Sequence, residues 1–330
     1  MSVVVLAPNW LGDGVMALPA IADIRRHFGR LTVAARASVA PMFSLAPSVD
    51  RVIPAELGDL QKLGAETAIL FPNSFGSAWL VTRAGIRERW GYATDLRRPL
   101  LSRAVNRPRR SMHQGAYYQH LVRELGIATG PLQPELALKP AVVEAARDLL
   151  RNHGWDGLRS LVVIAPGAAY GTAKRWLPAH FARLITRLAA GRGAQCVLVG
   201  SAADRETASL VRESVDARAQ ELVMDLTGET TLETLAGVMS VAAACVSNDS
   251  GAMHLAGAVG VPLAALFGPT REYETAPLSR NGARSEVLIN PVWCRPCMLR
   301  ECPIDHRCMK GLLPEQVLAA VDRLMEAPAR

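Results

Sequence analysis

The chain has 330 residues, half of them apolar, with 37 Lys and Arg against 30 Asp and Glu and a formal net charge of +7. That length exceeds what one hydrophobic core usually organises, so two domains are expected, and the apolar content excludes general disorder. The cationic excess favours anionic partners, and no apolar run approaches the roughly 20 residues of a membrane-spanning helix.

The start, MSVVVLAPNWLGDG, has no basic segment and too short an apolar run for a signal peptide, so a cytoplasmic location is expected. Residues 3–7 read as a buried strand. The turn Pro8-Asn9-Trp10-Leu11-Gly12-Asp13-Gly14 follows, then an amphipathic helix over 15–28. Gly12 and Gly14 permit close backbone approach, but G-x-G alone is not a dinucleotide fingerprint. Asp13 stands at the mouth of the first strand, where a carboxylate acts either as a base facing a ligand or as a plain helix N-cap.

Strands are expected at 31–35, 51–53 and 67–71, with a second strand-to-loop junction at Phe71-Pro72-Asn73-Ser74-Phe75. Residues 83–123 carry ten arginines, with His113 and Gln114 among them. Such a run is usually a solvated surface. Nucleic acid is one alternative, but no recognised nucleic-acid motif or aromatic stacking pattern accompanies it. A phosphorylated or carboxylated acceptor near a membrane face fits equally well.

The Gly- and Pro-rich stretch 130–140 reads as a linker, and a helix over 141–153 carries the chain onward. A strand at 161–165 ends in Pro166-Gly167-Ala168-Ala169-Tyr170-Gly171-Thr172-Ala173-Lys174-Arg175-Trp176, before a helix over 178–190. The order G-K-[ST] is absent, so this is no Walker A loop. Lys174 suits a leaving diphosphate, its alternative being an ordinary surface cation, and Trp176 suits a packing anchor. Further on, Glu233 opens a helix, where it either complements the dipole or reaches a ribose hydroxyl.

Residues 243–270, AACVSNDSGAMHLAGAVGVPLAALFGPT, then give an apolar strand, a polar elbow, a small-residue helix and a second apolar strand. A helix opening on Ser and Gly aims backbone N–H groups and a positive dipole end at one point, which suits a phosphate. Asp249 stands at the carboxyl end of that strand, where open α/β sheets bind ligands.

Cys196 and Cys245 lie in apolar strands as small core residues. Cys294, Cys297, Cys302 and Cys308 form C-x2-C-x4-C-x5-C, with His306 nearby. That spacing suits a structural zinc; reduced thiols shaping a compact loop are the preferred reading. A last helix is expected over 314–325.

Taken together these motifs resemble the ADP-heptose:lipopolysaccharide heptosyltransferases nearly end to end. The resemblance rests on N-W-L-G-D at 9–13, P-G-A-x-Y-G-x-A-K-R-W at 166–176, S-N-D-S-G-x-M-H-L-A at 247–256, F-G-P-T at 267–270 and the cysteine loop. The cysteine loop tilts it toward the enzymes that add the second heptose. It implies an α/β chain of the glycosyltransferase B architecture, with two Rossmann-like domains facing across a cleft. An acceptor domain is expected over 1–155 and a nucleotide-sugar domain over 156–312, with a terminal helix in 313–330 packing back on the first domain.

The resemblance further implies an inverting transfer from ADP-heptose to heptosyl-Kdo2-lipid A, with Asp13 as base and Lys174 stabilising the leaving ADP. Lys174, Glu233, Asp249, Ser250, Gly251, Ala252 and His254 would hold the donor, His254 being equally readable as a buried structural histidine. No cofactor or catalytic metal is required, no nucleic acid is expected, and the protein would meet the cytoplasmic face of the inner membrane peripherally. Heptosyltransferase I or III, with another acceptor, is the near alternative.

A nicotinamide-dependent oxidoreductase is the remote alternative. It would need a third glycine where Ala17 stands, and an acidic residue near 34–36, where the chain has Ala-Ala-Arg. A basic surface protein binding RNA or lipid would leave the paired phosphate-type loops unexplained.

Overall fold

The computed structural model describes residues 2–326, and the chain divides into two compact units, Met1–Ala137 and Leu138–Arg330. The first contains strands β1 (Val3–Leu6), β2 (Thr32–Ala35), β3 (Arg51–Pro54), β4 (Thr67–Leu70), β5 (Glu88–Tyr92) and β6 (Arg103–Val105). Its helices are α1 (Leu11–Phe28), α2 (Ala40–Ser44), α3 (Leu57–Leu63), α4 (Phe75–Arg83) and α5 (Gln114–Glu124). The strands are parallel in the order β3-β2-β1-β4-β5-β6. β1 and β4 are buried along their whole length, which is why they read as unbroken apolar runs.

The second unit opens with α6 (Pro140–Asn152) and contains β7 (Leu161–Ala165), α7 (Pro178–Arg192), β8 (Gln195–Leu198), α8 (Arg205–Glu213), β9 (Val223–Asp225) and α9 (Leu232–Ser240). It continues with β10 (Ala244–Asn248), α10 (Gly251–Val259), β11 (Leu263–Phe267), α11 (Glu272–Thr275), β12 (Ser285–Ile289), α12 (Arg307–Lys310) and α13 (Pro314–Glu326). Its strands are also parallel, in the order β12-β11-β10-β7-β8-β9. Counted from its own first strand this is the same doubly wound order as the first sheet, that of a Rossmann unit. In each sheet the winding reverses once, between β1 and β4 and between β7 and β10. Ligands of open α/β sheets bind at the carboxyl ends of the strands flanking such a reversal.

Several elements differ from the sequence reading. The arginine-rich segment holds β5 and β6, and Arg97 within it is fully buried. The edge strand β6 and its neighbour β5 are polar and partly exposed, so they lack the apolar signature of the central strands. The same reason hides the edge strand β12, whose exposure alternates residue by residue. The division falls at 137/138, so α6 belongs to the second unit. There it packs on α9, where a Cβ on Gly237 would sit 2.8 Å from Ala146 Cβ and 2.9 Å from the Val142 carbonyl. α13 contributes Val317, Val321 and Leu324 to the second unit's core beside α7; residues 327–330 lie outside the described residues.

Candidate active site

Helix α1 begins at Leu11, four residues before the sequence reading placed it. Its N-cap is Trp10, with extended dihedrals (φ −108°, ψ 142°) and no side-chain capping bond. Asp13 is therefore not the N-cap. It lies inside the first turn, where negative charge complements the helix dipole. Gly14 is required for packing, since a Cβ there would meet Met42 Cε at 2.9 Å and Phe43 Cζ at 3.2 Å. Helix α5 packs along α1 and brings Tyr118, which is 3% exposed, close to this carboxylate. Burial first, and then the charge of Asp13, push the Tyr118 hydroxyl well above its ordinary range, while a hydrogen bond with Gln114 opposes them. Tyr118 was missed in the sequence, because a tyrosine within a helix carries no motif of its own.

The neighbouring junction after β4 is fixed by Arg97. Its guanidinium donates to the carbonyls of Tyr92 (2.8 Å), Pro72 and Ser74 (3.3 Å), and to Ser77 Oγ (2.9 Å). Burial lowers its pKa to about 10. This arginine is an internal strut for the 72–77 loop.

In the second unit, the loop after β7 ends in a 3-10 turn, Thr172–Lys174, that presents Lys174. Its Nζ lies 2.6 Å from Asp249 Oδ2, with the two side chains 13% and 4% exposed. Thr270 Oγ1 donates to the same carboxylate oxygen at 2.6 Å. The Lys174 ammonium also stands 4.8 Å from the centre of the Tyr170 ring. Asn248 ties the two strand ends together. Its Oδ1 accepts from Trp176 N (3.0 Å) and its Nδ2 donates to Pro166 O (2.8 Å). Trp176 is fully buried and donates from Nε1 to Leu312 O at 2.8 Å, so it is an anchor for this loop.

Ser250 is the N-cap of α10 but makes no side-chain capping bond; its Oγ lies 3.2 Å from Ser247 Oγ. The first-turn N–H groups at Gly251 and Ala252 are thus not taken by the cap and point with the positive helix end toward an anion. The structure therefore brings Lys174, Asp249, Ser250, Gly251 and Ala252 to the switch point between β7 and β10. Glu233 lies in the first turn of α9, half-buried, on the same sheet edge but beyond β8. His254 is 4% exposed on α10, placed as a core side chain. Thr270 was quoted in F-G-P-T without a role; its bond to Asp249 is the part that spacing did not convey.

The cysteine segment braces this site. Ala173 N donates to Arg300 O (3.0 Å), Met298 N to Pro269 O (3.0 Å) and Tyr170 Oη to Met298 O (2.9 Å). Arg295 donates to the carbonyls of Gly268 (2.8 Å) and Thr270 (3.1 Å) and pairs with Glu272 at 2.8 Å. One loop thus grips both ligand-side turns. All six cysteines are unpaired. Cys294, Cys297, Cys302, Cys308 and His306 line a cavity of about 130 Å3. Among the described residues no three His, Cys, Asp or Glu side chains are grouped to hold a metal ion.

Two Rossmann-like units, with a largely buried lysine and an uncapped helix N-terminus at the second switch point, are the parts of the glycosyltransferase B architecture. The model of glycosyltransferase family 9 (heptosyltransferase) matches residues 58–307, and the chain belongs to that family. It is 32% identical to lipopolysaccharide heptosyltransferase 2 of Escherichia coli K12 over 98% of this chain and 99% of that one. Identity to lipopolysaccharide heptosyltransferase 2 of Salmonella typhimurium is also 32%, over 84% of this chain and 86% of the relative. The solved structure of E. coli ADP-heptose LPS heptosyltransferase II superposes with a TM-score of 0.85 at 28% identity, covering 98% of each chain.

Proposed function

We propose that the chain is an inverting transferase that moves L-glycero-D-manno-heptose from ADP-heptose to the first heptose of the lipopolysaccharide inner core. The observation that carries this is the Lys174–Asp249 pair beside the α10 N-terminus in a chain of the heptosyltransferase family. Relatives named heptosyltransferase 2 favour the second-heptose acceptor over those of heptosyltransferases I and III.

In this reading Asp13 takes the proton of the acceptor hydroxyl as that oxygen attacks the anomeric carbon. The bond from that carbon to the β-phosphate oxygen breaks, and its electron pair leaves with ADP. The carbon passes through an oxocarbenium-like state. Lys174 and the N–H groups of Ser250, Gly251 and Ala252 meet the charge that develops on the diphosphate. Asp249 holds Lys174 in place and offers its remaining oxygen to the sugar hydroxyls, while Glu233 reaches the ribose. Single displacement inverts the β-linked donor. The proposed acceptor is lipid-linked, which supports a peripheral contact with the inner membrane face; no helix among the described residues is long and apolar enough to cross a membrane.

The test is to supply ADP-heptose and the mono-heptosylated acceptor, follow ADP, and determine the new linkage by NMR. An α-linked heptose with one ADP per transfer is expected. A β-linked product would overturn the single displacement, and absence of ADP the donor.

A further inference from the structure

We infer that the carboxyl edge of the first unit's sheet is a docking surface for an anionic phospholipid membrane. The inference deepens the peripheral contact proposed above and localises it.

The sheet order brings four loops side by side along one edge: 7–10 after β1, 71–74 after β4, 93–97 after β5 and 106–113 after β6. Large apolar side chains stand out from the loops after β1 and β5 and from the first turns of α4. Trp10 is 62% exposed, Phe75 44%, Trp79 48% and Leu96 91%. Phe75 and Trp79 stack one turn apart on α4, with ring centres 6.5 Å apart. Phe75 N donates to Asp95 Oδ2 at 2.5 Å, which fixes the turn carrying Leu96 against the start of that helix.

The turn itself is costly. Asp95 (φ 50°) and Leu96 (φ 56°) are consecutive non-glycine residues in the left-handed region, which L-residues with a Cβ disfavour. Buried Arg97 locks it from below. The bonds of Asp95 and Arg97 hold the turn in place, and they leave Leu96, 91% exposed, standing outward where an apolar surface would receive it.

Charge selects the kind of surface. The loop after β6 adds exposed Arg107, Arg109 and Arg110, and Arg98 is exposed beside Leu96. Of the carboxylates in these segments, Asp13 sits in the first turn of α1 and Asp95 accepts the Phe75 N–H. Tryptophan belongs at the bilayer–water interface, arginine pairs with lipid phosphates, and an apolar leucine tip inserts between headgroups. A nucleic acid would use the arginines but offers nothing to Leu96. Asp13 opens on the same edge, so an acceptor rooted in the bilayer by its lipid would present its sugars to the base.

The test is co-sedimentation of the full chain with vesicles of phosphatidylcholine alone and with phosphatidylglycerol added. Strong, salt-sensitive binding to the anionic vesicles is expected. Trp79→Ser with Leu96→Ser, and separately Arg109→Glu with Arg110→Glu, should each weaken it by at least about tenfold. Both variants should keep wild-type transfer to a de-acylated, water-soluble acceptor. If the serine variant does not fold, quenching by brominated acyl chains takes its place, strong in the wild type and reduced in Trp79→Phe. Wild-type indifference to anionic lipid, or undiminished binding by both variants, would overturn the surface. So would loss of transfer to the soluble acceptor, which would place these residues in the acceptor site, and so would self-association through the patch. Absence of transfer in every form would count against the transferase reading and leave the vesicle result standing.

Discussion

In the proposed mechanism Asp13 and Lys174 divide the chemistry, one on each unit, and the position of each is set by its local backbone. Asp13 owes its place to a helix that starts before it, so its substitution should cost chemistry and little else. Asp13→Asn is expected to lower kcat by about 10^2- to 10^4-fold while ADP-heptose affinity, measured by calorimetry, stays as in the wild type. Lys174 is different, because it is held as well as holding. Lys174→Met should reduce kcat by about 10^2-fold or more, as when one charge-stabilising donor is removed. Thr270→Val removes only the bond that orients Asp249. It should lower stability in urea by about 1.5–3 kcal/mol, the range for a hydrogen bond to a charged group, with a smaller loss of kcat than Lys174→Met. At this scale the sequence located side chains that follow the carboxyl end of a strand, as for Asp13, Lys174 and Asp249, while their roles are those of the proposed mechanism. It was silent on Tyr118 and Thr270, whose roles come from packing between distant segments.

Elements explain why the ligand turns are firm. A Cβ on Gly171 would lie 2.2 Å from the Arg300 carbonyl oxygen, and that contact is backbone and cannot swing away. Gly171→Ala should therefore separate the Lys174 turn from the cysteine segment. Lower thermal stability and weaker ADP-heptose binding are expected together; a variant with both unchanged would show that the brace has no bearing on the donor site. Strands buried on both faces, such as β1, β7 and β10, were legible as apolar runs. The edge strands β6 and β12, and β5 beside the first of them, were not, since their polar, partly exposed residues read as loop or surface. The arginine run, readable as a solvated surface or as a contact for an anionic partner, also holds Arg97, an internal strut that residue type alone does not reveal.

For the molecule as a whole, two units were evident from length and from the Gly/Pro-rich link. The position of the boundary was not, because α6 looks like the end of one domain by sequence order and joins the other by packing on α9. If donor and acceptor are taken by different units, ligand effects should be separable. Hydrogen exchange with ADP-heptose alone is expected to slow at 166–176 and 248–254 and to leave 8–14 unchanged; equal protection of both would contradict the division of labour.

The identity of the acceptor is the part no motif carries, and it is the central claim. The direct measurement is to give the protein ADP-heptose with Kdo2-lipid A and, separately, with its mono-heptosylated form, following ADP and product mass. ADP release with addition of one heptose to the mono-heptosylated acceptor alone is the predicted result. Transfer to the unheptosylated acceptor, or no ADP release with either, would contradict it.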